Sequence, residues 1–352
     1  MQENQVKTEN NLIVSIDWLS FTIHDKGYTP EKIIDFLGFS REKFRSIPRG
    51  ASGYKRSLKF ENITILYDGT ENMGIHVNVS GSAVPTVLEA FRETIAVDTP
   101  FGKGYDIWEE TLCAYFLGEI VKVGKITRID LAIDDLGCKY YGLDEIEEKI
   151  SQHKICTKWK THQSFCEGKN TTIEKLGHTI YFGSPQSEIR LRIYDKQLER
   201  NRTKNEDDKG YVNYAWVRWE LELHKAKANT IACIIATGYK LGEVAIGILS
   251  HYFRIINLDD CNISRCSNEM KWNDFVNNVE KLKITVKKEE MSLEEEIRMF
   301  EHQNGRKIAK ILVAMGGDKD YFGDLANRYK GRLTARDIEQ LIKIGAIEKG
   351  II

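Results

Sequence analysis

Glu188-Ile189-Arg190-Leu191-Arg192-Ile193-Tyr194-Asp195-Lys196 and Trp216-Val217-Arg218-Trp219-Glu220-Leu221-Glu222-Leu223-His224 decide how this chain is read. In the first stretch Ile189, Leu191 and Ile193 alternate with Arg190, Arg192, Tyr194 and Lys196. In the second, Val217, Trp219, Leu221 and Leu223 alternate with Arg218, Glu220, Glu222 and His224. A period of two over this length predicts antiparallel strands with one face buried and one open. The open faces are unlike an ordinary solvated strand. One sets a tyrosine among three basic groups, and the other carries two carboxylates two positions apart.

Working outward, two further stretches alternate in the same way. Lys125 to Leu136 places Arg128, Asp130 and Asp134 opposite Ile129, Leu131 and Ile133. Gly74 to Ser80 places His76, Asn78 and Ser80 on one side. Leu12 to Ile23 is a strand with Asp17 inside it. Thr29-Pro30-Glu31 opens a short helix, with Thr as N-cap and Pro at the first helical position. Leu58 to Tyr67 and Met73 to Ser80 read as a hairpin joined at Asp68–Glu71. Helices are expected near 84–97, 105–118, 143–153, 226–236 and 241–256, and strands near 155–166, 177–183, 188–196 and 215–224. The fold class is therefore α+β: an antiparallel sheet with helices on one face, plus a small helical C-terminal module. The order β-α-β-β, then helices, then β-α-β-β-β-β suggests a duplication. Ser15-Ile16-Asp17 and Arg128-Ile129-Asp130 echo each other in the first strand of each half, although chance similarity of strands gives such triplets too.

The domain reading is a disordered tail over 1–11, a main domain over 12–256, and a mostly helical region over 257–352 that binds DNA or a partner. Ser292-Leu293-Glu294-Glu295 carries a capping-box pattern, and further helices are expected at 306–315, 319–329 and 334–344. With 352 residues, 41% hydrophobic and 29% charged, the chain is long enough for two domains. A formal net charge of −1 leaves nucleic-acid binding open, because the placement of basic residues matters more than their sum. Residues 40–60 hold seven Lys/Arg against one acid, interleaved with Phe44, Tyr54 and Phe60. That mixture suits phosphates and unstacked bases, or else a solvated connector. Leu198 to Gly210 reads as a flexible loop carrying Arg200 and Arg202 at the rim of the Tyr194 face. The seven cysteines are scattered without a Cys-x-x-Cys pair, as in a reducing compartment. Neither a signal peptide nor an apolar run of ~20 residues is evident, so the expected location is cytoplasmic and no membrane is involved.

If the alternating strands neighbour one another, a tyrosine, several arginines and up to four carboxylates converge on one surface. Residues two apart on a strand are ~6.5–7 Å apart, so carboxylates on adjacent strands can share a divalent cation. Tyrosine, with a free pKa of ~10, is a poor nucleophile at neutral pH. Arg190 and Arg192 would favour its phenolate and neutralise a phosphodiester. A hard cation on Asp and Glu oxygens would polarise the phosphoryl group. The plainer alternative is that Glu220 and Glu222 pair with Arg190, Arg192 and Arg218 across strands. His76 and His224 are weaker candidates.

Gly177-His178-Thr179-Ile180-Tyr181-Phe182-Gly183-Ser184-Pro185-Gln186-Ser187, Arg190 to Lys196 and Trp216 to Leu223 resemble the replication initiation factor (Rep_trans) family. Ile16 to Thr22, His76 to Gly81 and Thr127 to Asp135 fit the same pattern, so the resemblance spans roughly residues 12–256. It implies a rolling-circle initiator or a relaxase of a conjugative element, which nicks one strand at a double-stranded origin. The resemblance further implies a 5′-phosphotyrosine link, a free 3′-hydroxyl, later rejoining, and a requirement for Mg²⁺ or Mn²⁺. Tyr194 corresponds to the family's nucleophile, followed by Lys196. Asp130, Asp134, Glu220 and Glu222, and less directly Asp17, correspond to its acidic strand positions. Expected partners are origin DNA in double- and single-stranded form, a host helicase and a second copy of the chain. Expected DNA contacts are Arg49, Lys55, Arg56, Arg128, Arg200, Arg202 and Arg218. Two competitors remain at this level: a protein that only grips origin DNA, and a metal-dependent nuclease that uses water.

Overall fold

The structure is a computed structural model, and it describes residues 12–98, 109–170, 175–204, 206–208, 210–279, 308–318, 320–330 and 341. The first half runs β1 (Leu12–Ile23), α1 (Pro30–Phe36), β2 (Arg45–Ile47), β3 (Arg56–Phe60), β4 (Ile63–Tyr67), β5 (Ile75–Ser80), α2 (Ala83–Asp98) and α3 (Glu109–Val123). The second half opens with β6 (Gly124–Leu136), α4 (Leu143–Ser151), β7 (Ile155–Thr157), β8 (His162–Gly168) and β9 (Lys175–Phe182). It continues through β10 (Ile189–Asp195), α5 (Lys196–Asn201), β11 (Trp216–His224), α6 (Lys225–Ala236), α7 (Leu241–Tyr252), β12 (Phe253–Ile255) and α8 (Met270–Asn278).

Ten strands form one sheet in the order β2-β3-β4-β5-β1-β6-β11-β10-β9-β8. Every neighbouring pair is antiparallel. The first strands of the two halves, β1 and β6, pair at the centre. Each has the last strand that its own half gives to this sheet on its outer side, β5 beside β1 and β11 beside β6. A duplicated unit related by a local twofold gives this order, so the α+β reading with a duplicated sheet holds. Helices α2, α3, α6 and α7 pack on β1, β5, β6 and β11. The apolar members of each alternation supply the core on that side: Ile129, Leu131, Ile133, Leu191, Ile193, Trp219, Leu221 and Leu223 are all buried. α1 starts as expected, with Pro30 at its first turn and the Thr29 hydroxyl accepting from the Lys32 amide at 3.3 Å.

Four departures have local causes. Residues 58–67 are two strands, because Glu61 takes a left-handed φ of 47° and turns the chain between β3 and β4. The expected strand over 155–166 is likewise split into β7 and β8. The helix expected to reach 256 ends at Tyr252, since Phe253 and Ile255 are buried while Arg254 faces out and β12 pairs with β7. The stretch after Asp195 is not wholly loop: the Asp195 carboxylate caps α5 by accepting from the Leu198 amide at 2.8 Å.

The described residues 12–279 belong to one compact unit. It thus runs past the expected boundary at 256, because Trp272, Phe275 and Val276 of α8 are buried in the same core. In a second unit, residues 308–314 are helical and α9 spans Asp320–Lys330. The tail over 1–11, the capping box at 292–295 and the helix expected at 334–344 lie outside the described residues, save Leu341. Among the described residues no helix is long and apolar enough to cross a membrane.

Trp219 is the joint between sheet and helices. It is fully buried, and its ring lies 5.2–6.3 Å from those of Tyr141, Phe253, Trp272 and Phe275. Trp219→Ala should destabilise the main unit by about 3–5 kcal/mol, the usual cost of emptying a large aromatic site. Urea denaturation checks this; an unchanged midpoint would remove α8 from the cooperative core.

Candidate active site

The face of the sheet turned away from α2, α3, α6 and α7 collects the polar members of the alternations. Arg190, Arg192 and Tyr194 of β10 stand opposite Glu222, Glu220 and Arg218 of β11. Those three stand opposite Asp130, Ala132 and Asp134 of β6. Tyr194 sits at the centre of charge, with only 2% of its surface exposed. Its hydroxyl donates to Glu220 Oε2 at 3.2 Å and accepts from Lys196 Nζ at 3.3 Å. The Arg192 guanidinium lies 3.9 Å from its ring centre. Burial first, and then the Glu220 charge, hold the Tyr194 hydroxyl well above its ordinary range, while Arg218 and Arg192 pull the other way. Burial also raises Glu220 against the pull of Arg192, so this carboxyl is more basic than a surface glutamate.

Arg218 is buried beside the tyrosine and held by two acids. Its Nε and Nη2 donate to Asp134 at 2.6 and 2.8 Å, and its Nη1 donates to Asp17 Oδ1. Trp216 Nε1 adds a 2.6 Å bond to Asp134. Asp17 reaches this point through a β-bulge. The β1–β6 register steps from Ile16–Leu131 to Trp18–Asp130, leaving Asp17 as the extra residue. Arg128 is bidentate to Asp130, Nε to Oδ1 at 2.9 Å and Nη2 to Oδ2 at 2.5 Å, and its guanidinium lies 4.1 Å from the Trp18 ring centre. Burial, only partly offset by Arg128, pushes Asp130 up to about 8. Glu222 faces Arg190 at 3.7 Å and Glu220 faces Arg192 at 3.6 Å. The Nε atoms of Arg190 and Arg192 are buried without a hydrogen-bond partner.

The fold therefore brings together Tyr194, Arg190, Arg192, Lys196, Asp130, Asp134, Glu220, Glu222, Arg128, Arg218 and Asp17. It disperses the rest, except His224, which borders this group. His76 belongs to a neutral network in the first half, 2.8 Å from Thr22 Oγ1 and 3.2 Å from Asn78 Oδ1. His224 ends β11 opposite Arg128. Arg49, Lys55 and Arg56 are exposed near the outer strands of the first half. Arg200 is exposed on α5, and Arg202 beyond it pairs with Glu167 at 2.8 Å. Arg218, expected as a DNA contact, is buried with its guanidinium taken up by carboxylates.

The four expected metal carboxylates do not form a separate cage; each is paired with its own arginine. Among the described residues, ligand-type side chains close enough to share an ion are Asp144, Glu147 and His178. This cluster joins α4 to β9, with His178 Nε2 3.0 Å from Glu147 and Lys175 paired to Asp144 at 2.6 Å. His178 points to the α4 side, whereas its neighbour Thr179 stands beside Tyr194 on the open face. The sequence alone assigns no site role to Trp216 or Tyr181. For Trp216 the signal was present, since it continues the alternation of Arg218 and Glu220. Tyr181 needs the β9–β10 register, which places it opposite Arg192 and under the Arg190 guanidinium at 3.8 Å.

Comparison with known proteins bears on the family and the fold. Residues 13–95 match the rolling-circle replication initiation protein N-terminal domain. The chain is 25% identical over 297 residues to NicK of Bacillus subtilis (strain 168), whose name marks it as a candidate DNA relaxase; the match covers 82% of this chain and 77% of that one. Among solved structures, a rolling-circle replication initiator protein from Geobacillus stearothermophilus superposes with a TM-score of 0.62 at 25% identity. That superposition covers 76% of this chain and 96% of the other. Residues 124–325 match the replication initiation factor family profile, and the chain belongs to that family.

Proposed function

We propose that this protein is a rolling-circle replication initiator or relaxase that nicks and rejoins one DNA strand through Tyr194. The observation that carries the reading is the buried Tyr194 hydroxyl, bonded to Glu220 and flanked by Arg192, Arg218 and Lys196. A protein that only gripped DNA would have no need to bury a tyrosine against a carboxylate of raised basicity. In the reaction, the Tyr194 oxygen attacks phosphorus as its proton passes to Glu220. The Oη–P bond forms, the P–O3′ bond breaks, and the 3′-oxygen leaves as a hydroxyl after taking up a proton from solvent water. The 5′-phosphate stays on the tyrosine, and attack by a 3′-hydroxyl reverses the steps. Arg190 and Arg192, with their unpartnered Nε atoms, orient and neutralise the phosphate.

Charge supports a metal requirement. Asp17, Asp130, Asp134, Glu220 and Glu222 are matched by Arg128, Arg190, Arg192, Lys196 and Arg218 on the same face. A bound phosphodiester adds one negative charge to that face, and passage of the Tyr194 proton to Glu220 does not change the total; a divalent cation would offset the added charge. The donors are hard carboxylate oxygens, which suit Mg²⁺ or Mn²⁺. Asp130, Asp134, Glu220 and Glu222, with Asp17, are the groups that would hold the ion by giving up arginine partners to it, and it would stabilise charge on the phosphoryl oxygens. Arg49, Lys55, Arg56, Arg200 and Arg202 serve as outlying contacts to double- and single-stranded origin DNA. The enzyme works in the cytoplasm with a host helicase and as a homodimer, and residues 257–352 contribute DNA or partner binding.

On a supercoiled origin plasmid with Mg²⁺, Tyr194→Phe should abolish both nicking and the covalent adduct; an adduct formed by that variant would move the nucleophile elsewhere. Glu220→Gln should cost about 10²–10⁴-fold in nicking rate, the scale of a general base. Glu220 acts deprotonated and its pKa is raised, so wild-type activity should fall on the acid side above the ordinary glutamate value of ~4.3. A pH–rate profile in Glu220→Gln that keeps this acid limb would assign the limb to another group. Asp17→Asn, which loosens Arg218, should lower the rate about 10²-fold through misplacement while leaving DNA affinity within about twofold. Equal losses of affinity and rate would make Asp17 a binding residue instead.

A further inference from the structure

We propose that a base flanking the scissile phosphate is unstacked and held in a cavity between Tyr194 and Phe165; this rests on the nicking reading above. The cavity measures about 520 Å³ and is lined by Phe165, Thr179, Arg192, Tyr194, Glu199 and Arg202, among others. Its floor is one cross-strand row: Phe165 of β8 stands opposite Thr179 of β9, which stands opposite Tyr194 of β10. With strands ~4.8 Å apart, Phe165 lies about 10 Å from the nucleophile. A strand with its phosphate at the Tyr194 hydroxyl can thus lay an adjoining nucleotide along this row. α5 and the residue after it supply the wall, where Glu199 pairs with Lys196 at 2.8 Å and Arg202 with Glu167 at 2.8 Å.

Phe165 has no structural reason to be aromatic. All seven residues of edge strand β8 are exposed, and Phe165 itself is 57% exposed. Its ring is nonetheless steadied, edge-on to Tyr181 with centroids 6.0 Å apart and planes at 80°. Tyr181 in turn carries the Arg190 guanidinium at 3.8 Å. A ladder of Arg190, Tyr181 and Phe165 therefore leads from the phosphate-binding arginines to the cavity mouth. Nicking needs a locally unpaired strand, and an unpaired base offers two apolar faces. An exposed aromatic next to cations is the platform single strands use, tolerant of sequence because every base has a π-face. Thr179 and Arg202 add hydrogen-bond donors at its edges.

The test uses the full chain and single-stranded oligonucleotides spanning the nick site mapped from the Tyr194 adduct, with an abasic residue placed at each position around the scissile phosphate. One flanking abasic position should lower wild-type kcat/KM about tenfold, the low end of the stacking range. Phe165→Ala should lower kcat/KM on the intact strand by a similar factor and lose sensitivity to that same abasic position. Phe165→Tyr should restore both. If Phe165→Ala nicks as well as wild type, or if the two losses multiply at every position, the subsite is overturned while nicking by Tyr194 stands. If wild type forms no adduct with any oligonucleotide or plasmid, the nicking reading falls first and the subsite with it. An unchanged thermal melt of Phe165→Ala is expected, since the side chain is exposed.

Discussion

The charge on Arg218 is the constraint on which the rest of the open face depends. A guanidinium buried at the centre of a sheet costs several kcal/mol unless its donors are satisfied. Here Asp134 takes two nitrogens and Asp17 the third, with Trp216 completing the Asp134 oxygen. Removing either acid would leave a buried charge without compensation, a loss of about 3–5 kcal/mol for such pairs. The two acids come from different halves of the chain, Asp17 from β1 and Asp134 from β6. The central β1–β6 pairing is therefore more than a seam, since the charge beside Tyr194 is fixed only when both halves are in register.

The same twofold shows how the two halves differ in the side chains they carry at matching positions. Trp18 and Asp130 pair with each other; outward, Trp18 pairs with Ser80 and Asp130 with Glu222. Counting along the strands, Asn78 then occupies the place of Glu220, His76 that of Arg218, and Thr22 that of Asp134. On the next strand, Thr64 stands where Arg192 does and buried Leu66 where Tyr194 does. The Arg218–Asp134 ion pair becomes a neutral Thr22–His76 contact of 2.8 Å. At these matching positions the first half keeps the topology and the hydrogen-bonding pattern but carries no tyrosine, carboxylate or arginine. The echo of Ser15-Ile16-Asp17 with Arg128-Ile129-Asp130 is displaced by one position from this match, and the bulge at Asp17 accounts for the displacement.

Alternation made the faces of β6, β10 and β11 legible before any coordinates, because a residue's face depends only on the parity of its position. Tyr194, Arg192 and Glu220 were readable as one surface for that reason. Which arginine meets which acid was not readable, because it depends on register between strands whose paired residues lie up to 201 positions apart. The bulge at Asp17 was hidden for the same reason: nothing local in Ile16-Asp17-Trp18 announces an extra residue. α8 was placed outside the main domain because its apolar residues, Trp272, Phe275 and Val276, are few and lie among polar neighbours. Only the pocket around Trp219 shows where they go.

The resting geometry also bears on how such a nucleophile is kept in check. Burial and the Glu220 charge hold the Tyr194 proton in place, so the proposed nucleophile would stay protonated while no DNA is bound. Arg192 serves two masters in this state, stacked on the tyrosine ring and 3.6 Å from Glu220. In the proposed reaction an incoming phosphate competes for that guanidinium. To the extent that Arg192 turns to the phosphate, Glu220 loses its partner and becomes a stronger acceptor for the tyrosine proton. Substrate arrival and nucleophile activation are then one electrostatic event, because the group that recognises the phosphate is the group that had been restraining the base.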